Sequence, residues 1–246
     1  MIEIRGTTTL VGILGWPVSH SLSPPMHNAA FATLGLDWAY VPLPVPPEGL
    51  RDAVRGVAAA GFAGANVTIP HKTAVIGLCD EVEDVARRAE SVNTLVFRDG
   101  QVLGSSTDVT AIAQAVGGGG STALVLGRGG SAKAAVAALS AHGFDVTVTG
   151  RHDVGWPPDA TAFDVVVNAT PVKDDPLVEV RSGQIVVDLP YRTDGATALA
   201  RAAADAGARV VDGLDILLAQ GAASFERWTG RPAPVSTMRA ALRDGT

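Results

Sequence analysis

The sequence has almost no cysteine, no excess of positive charge and no long apolar run. With Cys79 as its one cysteine, the chain forms no internal disulfide, and this fits a reducing compartment. Lys and Arg number 19 against 25 Asp and Glu, a formal net charge of -6. That balance offers no nucleic-acid surface. No stretch reaches the ~18 uninterrupted apolar residues of a membrane helix. Met1-Ile2-Glu3-Ile4-Arg5 lacks the charged segment and apolar run of a secretory leader. The chain therefore reads as soluble and cytoplasmic, with neither a nucleic acid nor a membrane as partner. His20, His27 and His71 show no metal-ligand spacing, so they read as structural and no metal is expected. No solenoid repeat is present.

What the sequence does have is apolar residues and glycine. Of 246 residues, 47% are apolar and 28 are glycine, enough for one large domain or two modest ones. Short apolar runs predict strands over 9–14, 38–43 and 62–68. A helix is predicted over 26–34, with Ser23 before its prolines as the start, and others run from Pro46 to about residue 60 and over 81–89. Arg98-Asp99-Gly100 between two apolar runs is a hairpin signal. The stretch Gly64-Ala65-Asn66-Val67-Thr68-Ile69-Pro70-His71-Lys72 reads as a strand end, a turn and a helix start. The β-branched Val67 and Ile69 suit the strand, and Pro70 suits the first turn of a helix. Asn66, Thr68 and Lys72 thus gather at a strand end, where open α/β folds place their ligands. A capped helix with a solvated lysine fits the stretch as well as a chemical lysine does.

The texture changes after a helix predicted over 107–116. Gly117-Gly118-Gly119-Gly120-Ser121 has the composition of a flexible junction. Strands are then predicted over 122–126, 145–149, 165–168, 185–189 and 209–211, and helices over 134–142 and 197–206. Two further helices, about 216–228 and 236–243, close the chain. Strands alternating with helices imply a parallel sheet. Between the first of these strands and its helix stands Gly127-Arg128-Gly129-Gly130-Ser131-Ala132, a dinucleotide-binding arrangement. Its glycines let the backbone approach a pyrophosphate, and the helix N-terminus offers it unpaired N–H groups. Ala132 takes the place of the usual third glycine. Cofactor choice is read after the next strand, where an arginine suits the 2′-phosphate of NADP and an acid the ribose hydroxyl of NAD. Arg151 and Asp153 stand there together, so NADP, NAD and dual use all stay open. Val154-Gly155-Trp156-Pro157-Pro158 excludes a long crossover helix at that point.

These pieces together resemble the shikimate dehydrogenase family. The resemblance runs from about Val11 to Leu242 and rests on Gly15 to Pro24, Asn66 to Lys72, Val92-Asn93-Thr94-Leu95, Thr107-Asp108, the Gly127 loop, Asn168-Ala169-Thr170-Pro171, Asp188-Leu189-Pro190-Tyr191 and Gln220 to Phe225. It implies an α/β protein of two domains with a cleft between them. Residues 1–106 would form the substrate domain and 107–214 a Rossmann-like NAD(P) domain, and helices in 215–246 would return to the first. The implied reaction is the reversible NADP-linked reduction of 3-dehydroshikimate to shikimate. Lys72 and Asp108 would form the catalytic pair. Ser21 and Ser23 would seat the substrate carboxylate, with simple helix capping as the alternative. Asn66, Thr68, Asn93 and Gln220 would hold ring hydroxyls, together with Asp108. Tyr191 would lie near the substrate, as a contact or as packing. Gly127, Arg128, Gly129, Gly130, Ser131, Arg151, Thr170 and Gly213 would line the cofactor.

The chain also departs from the family pattern. Ser106 stands where the family carries asparagine. Gly150-Arg151-His152 replaces Asn-Arg-Thr, with no second arginine following. Quinate or an aminated ring acid remains an alternative substrate, and a non-catalytic ring-acid or nucleotide binder is a reading from another class. A methylene-tetrahydrofolate dehydrogenase type of reductase would leave the paired Ser21 and Ser23 without a reason. Both a monomer and a homodimer are compatible with the sequence.

Overall fold

The computed structural model describes residues 3–118 and 120–244. Gly119 of the glycine tract, the leading Met1 and Ile2, and the last two residues lie outside them. The described residues fall into two compact units, one drawn from Met1–Thr107 and Leu218–Thr246, the other Asp108–Leu217.

The first unit is built on a mixed sheet. Its strands are β1 (Thr9–Gly15), β2 (Trp38–Pro44), β3 (Gly64–Val67), β4 (Glu81–Val82), β5 (Thr94–Arg98) and β6 (Gln101–Ser105), in spatial order β2-β1-β3-β5-β6-β4. β1 pairs parallel with both β2 and β3, and β5 then reverses direction against β3 and β6. β1, buried over its last five residues, carries the continuous apolar run expected of a strand covered on both faces. The β5–β6 hairpin turns on Asp99 and Gly100, with φ of 53° and 76°. Two positive φ values make the primed turn that the right-handed twist of a hairpin needs. Helix α1 (Ser23–Thr33) packs on β2 and on the last helix, α8 (Val235–Asp244). Helix α2 (Leu50–Ala59) buries Leu50 and Val54 against the β1–β3–β5 core of Leu14, Ala65, Val67 and Leu95.

Two expectations in this unit are corrected. No helix starts at Pro70. The chain makes a turn closed by His71 N donating to Thr68 O at 2.9 Å, then a 3-10 segment over Ala74–Leu78. The carbonyl of Lys72, which a helix would use within itself, accepts instead from Val92 N at 2.9 Å. Nor is 81–89 one helix. Glu81–Val82 joins β6 as a strand, and only α3 (Asp84–Arg88) is helical. In both places a distant segment captures backbone groups that local propensity assigned to a helix: Val92 before β5 in one, β6 in the other.

The second unit holds a five-stranded, wholly parallel sheet of β7 (Thr122–Leu126), β8 (Asp145–Thr149), β9 (Val165–Asn168), β10 (Ile185–Asp188) and β11 (Arg209–Asp212), in order β11-β10-β9-β7-β8. β7 and β9 are fully or nearly fully buried. From β7 the chain passes first to β8 on one side, then to β9 on the other. The carboxyl end of β7 is thus a topological switch point, where such sheets bind their ligands. Helix α5 (Gly130–Ala141) begins four residues earlier than the expected 134, so Gly130 and Ser131 lie in its first turn. No helix joins β8 to β9. Helix α6 (Ala198–Asp205) is capped by Thr197, whose hydroxyl accepts from Ala200 N. Helix α4 (Thr107–Val116) and the long helix α7 (Gly213–Thr229) each run across a division between the units. No helix among the described residues is long and apolar enough to cross a membrane.

Candidate active site

In the first unit the polar side chains predicted around a substrate converge on the carboxyl ends of β1 and β3 and the start of β5. Asn66, on β3, is buried, and its amide is filled by protein groups. Its Oδ1 accepts from the Tyr40 hydroxyl at 2.8 Å. Its Nδ2 donates to Asn93 O and Thr94 Oγ1, both at 3.2 Å, and to Ser224 Oγ at 3.0 Å. Asn93, just before β5, accepts from Thr107 N at 2.7 Å and donates to Gln220 Oε1 at 3.2 Å. Thr94 and Ser224 hydroxyls lie 2.8 Å apart, and Ser224 also donates to the Gln220 backbone carbonyl at 2.9 Å. The structure therefore brings Asn66, Asn93 and Gln220 into one buried cluster through Tyr40, Thr94, Thr107 and Ser224. None of those four was singled out from the sequence as a site residue. The alternating polarity of Trp38 to Leu43 marked Tyr40 only as a strand residue.

Behind the cluster lies His27, which is fully buried. Its ring stacks on Tyr40 at 4.6 Å and 3°, and Trp228 approaches at 5.3 Å. Neither ring nitrogen meets a hydrogen-bond partner among the described residues. Burial pushes the His27 ring down to about 3, because nothing there compensates a lost hydration shell. Ser106 Oγ is likewise buried with no partner among the described residues. The departure from asparagine thus leaves a shorter group that organises nothing around it.

The remaining predicted substrate residues sit at strand ends and turns. Thr68 follows β3, and its N–H donates to Leu14 O at 2.9 Å. Lys72 is half-buried in the turn after it. Ser21 Oγ accepts from Ser23 N at 3.2 Å as α1 begins, while the N-cap position itself is Leu22. Ser23 is buried at the head of the helix. His71 is held by Val45 O at 2.7 Å from its Nε2. Asp108 occupies the first turn of α4, in the second unit. Among the described residues no group of three or more His, Cys, Asp or Glu is placed to hold a metal ion.

The second unit carries the dinucleotide features. Gly127 leaves β7 with φ of 117°, and a Cβ there would stand 3.0 Å from Ala169 O. That backbone excludes other residues for both reasons. Gly129 precedes α5 with extended backbone and no side-chain cap, and a Cβ built on it meets nothing within 4 Å. Gly129 thus leaves open space immediately before the first turn of α5, where an anion cradle would lie. The adenosine diphosphate part of a dinucleotide fits these residues. Thr170 folds back on Asn168, donating through N and Oγ1 to Oδ1 at 2.9 and 2.7 Å. Asn168 in turn donates to Asp188 at 2.7 Å. Burial raises the Asp188 carboxyl above the usual range, against the Thr197 hydroxyl and the Asn168 amide that hold it. Gly213 opens α7 where a Cβ would lie 2.3 Å from Leu189 O. Tyr191 carries the Lys173 ammonium 5.7 Å over its ring. At the end of β8, Arg151 Nε meets His152 Nε2 at 3.1 Å. Asp153 pairs with Arg128 of the glycine loop and accepts from Gly150 N at 2.9 Å. The Arg128 guanidinium first, and the Gly150 N–H second, hold the Asp153 carboxyl below the usual carboxylate range.

Residues 13–95 match the shikimate dehydrogenase substrate binding domain, and residues 213–243 the shikimate 5′-dehydrogenase C-terminal domain. A protein of Anaeromyxobacter sp. (strain Fw109-5) named shikimate dehydrogenase (NADP(+)) is 44% identical, over 97% of each chain. A crystal structure of shikimate dehydrogenase from Aquifex aeolicus superposes with a TM-score of 0.90 at 33% identity, covering 98% of this chain and 100% of that one. The Thermus thermophilus enzyme in complex with NADP(H) and shikimate gives 0.86 at 32% identity, covering 97% and 100%.

Proposed function

The chain belongs to the shikimate dehydrogenase family, and we propose from that premise that it reversibly reduces 3-dehydroshikimate to shikimate as an NADP-linked oxidoreductase. The observation that carries the reading is similarity over the whole chain to proteins of that name and to a structure holding both ligands. The polar cluster of the first unit supports it. A hydroxylated ring acid needs several fixed hydrogen-bonding groups, and a dry cluster that pins Asn93 to Gln220 supplies them.

NADPH supplies the hydride when bound. Hydride arriving at the ring carbonyl carbon builds negative charge on its oxygen. We assign Lys72 to stabilise that oxygen and protonate it, regaining its proton from water, and Asp108 to orient the lysine and favour its charged form. Ser21 and Ser23 seat the ring carboxylate at the start of α1, where the helix dipole favours an anion. Thr68, Asn93 and Gln220 hold ring hydroxyls, and Tyr191 lies beside them. Asn66 joins them in holding ring hydroxyls, and its amide also ties Tyr40 to Asn93. Gly127, Gly129, Gly130 and Ser131 cradle the pyrophosphate, with Arg128, Arg151, Thr170 and Gly213 around the rest of the nucleotide. Residues 1–106 then form the substrate part and 107–214 the nucleotide part. The work is done in the cytoplasm.

Purified protein given shikimate with NADP⁺, then NAD⁺, and followed at the nicotinamide absorbance, tests the reading. Turnover of shikimate with NADP⁺ is expected, and no turnover with either cofactor overturns it. Lys72→Ala should lower kcat by about 10²–10⁴-fold, the usual share of a general acid, with an unchanged melting temperature. Full activity in that variant removes the assigned role.

A further inference from the structure

We infer that Arg128, reaching out of the glycine loop, is the second cation for the 2′-phosphate of NADP beside Arg151, and that Asp153 holds Arg128 in place instead of binding a ribose hydroxyl. This deepens the proposed NADP-linked function and rests on it.

The loop after β8 has one arginine where a phosphate dianion calls for more than one cationic partner. It also has an acid that would repel such a ligand. The structure answers both points with one residue. Arg128 stands between Gly127 and Gly129, and its side chain crosses to the turn at Gly150 to Asp153. That turn is closed by Asp153 N donating to Gly150 O at 2.8 Å. The arginine stem lies over Gly150: a Cβ built there would be 3.6 Å from Arg128 Nε and 3.7 Å from Cγ and Cδ. The Arg128 stem thus packs at ordinary van der Waals distance against the Gly150 turn.

Arg128 Nη2 donates to Asp153 Oδ2, and the same oxygen accepts from Gly150 N. The carboxylate is thus tied to the backbone of its own turn and offers a fixed anchor to the guanidinium. Its charge is neutralised by that pair, so it no longer opposes a phosphate. Nη2 is the one Arg128 nitrogen in a hydrogen bond with a described residue, and the side chain stays 61% exposed. A guanidinium carries five N–H donors in a planar fork, so the remaining edge is available for a second anion. Arg151 leaves the same turn, with only its Nε directed at His152. Two guanidiniums, one from the glycine loop and one from the turn, are therefore gathered at one short turn, one of them braced.

The test is calorimetric titration of the whole protein with NADP⁺, NAD⁺, adenosine 2′,5′-bisphosphate and AMP. Arg128→Ala should weaken NADP⁺ and the bisphosphate by about 10- to 50-fold, the scale of one charge-assisted pair, and leave NAD⁺ and AMP within about twofold. Asp153→Ala should weaken NADP⁺ by about 3- to 10-fold while Arg128 is present, because the guanidinium loses its anchor. In the Arg128→Ala background the same substitution should strengthen NADP⁺ binding, because an uncompensated carboxylate is removed. That reversal of sign distinguishes a brace from a repelling or ribose-binding acid. The same sign in both backgrounds, a selective loss of NAD⁺ in Asp153→Ala, or unchanged NADP⁺ binding in Arg128→Ala overturns the inference while NADP⁺ still binds the wild type. A wild type that binds neither NADP⁺ nor the bisphosphate overturns the cofactor assignment itself.

Discussion

The cluster around Asn66 is shut away from water, with Thr94, Thr107 and Ser224 each 0% exposed, whereas the Arg128–Asp153 pair has side chains 61% and 32% exposed. Both are polar groups gathered at the carboxyl ends of strands, and they are held by opposite means. In the first, each amide and hydroxyl is fixed because leaving it unpaired in a dry site is costly. In the second, water competes for every donor, and the pair contributes little to folding. On the proposed reading, recognition of the ring acid is built into the core of its unit, and recognition of the nucleotide's 2′ end rests on side chains that can change without disturbing the fold.

Five variants would break or sharpen that contrast. The largest effect belongs to His27, beneath Tyr40. An unfolded histidine titrates near 6.5, and the buried ring near 3. The unfolded state therefore binds the extra proton between those values, and stability falls as pH drops from 6.5 toward 3. The loss is about 1.4 kcal/mol per pH unit, roughly 4–5 kcal/mol in all. His27→Phe should flatten the pH dependence of denaturant unfolding by that slope between pH 6.5 and 4. Parallel curves for the two proteins would deny the buried side its electrostatic isolation.

Next comes Asn66→Ala, which strips partners from Tyr40, Thr94 and Ser224 together. A loss of about 3 kcal/mol in unfolding free energy is expected, with a raised KM for shikimate and little change in NADP⁺ affinity. Tyr40→Phe removes one donor and leaves Asn66 Oδ1 alone, for about 1–2 kcal/mol by the same measurement. The smallest effect lies on the exposed side. Arg192 grips Asp194 through two bonds of 2.8 Å and also reaches Asp174, but those carboxylates are 68% and 85% exposed. Arg192→Ala and Arg128→Ala should therefore leave the thermal unfolding midpoint close to the wild type's. A clear destabilisation in either would erase the distinction between the two regions.

How much of this was legible beforehand depends on the range of the forces involved. The strands over 122–126, 145–149 and 165–168 and the helix over 107–116 follow from local apolar pattern, and the structure places them at those bounds. The Arg98-Asp99-Gly100 turn and the Gly127 loop are also local, since a positive φ at Gly100 or Gly127 is a property of one residue and its neighbours. The helix expected after Pro70 failed because Val92, twenty residues on, claims the Lys72 carbonyl. Glu81–Val82 was read as helix because its charge pattern is helical, yet pairing with β6 makes it a strand.

The site divides in the same way. Ser21, Ser23, Asn66, Lys72, Asn93, Asp108 and Gln220 could be named from motifs, because a motif is a run of adjacent letters. That Asn66 meets Ser224, or Arg128 meets Asp153, could not be, because those pairs are 158 and 25 positions apart. By itself the sequence determined most of the order of elements, the family and the chemical groups available, all of which rest on propensity and short spacing. Only the tertiary structure decided which groups are spent on one another and which still face a ligand. That choice depends on which distant strands and helices pack together, and on how much water is left between them.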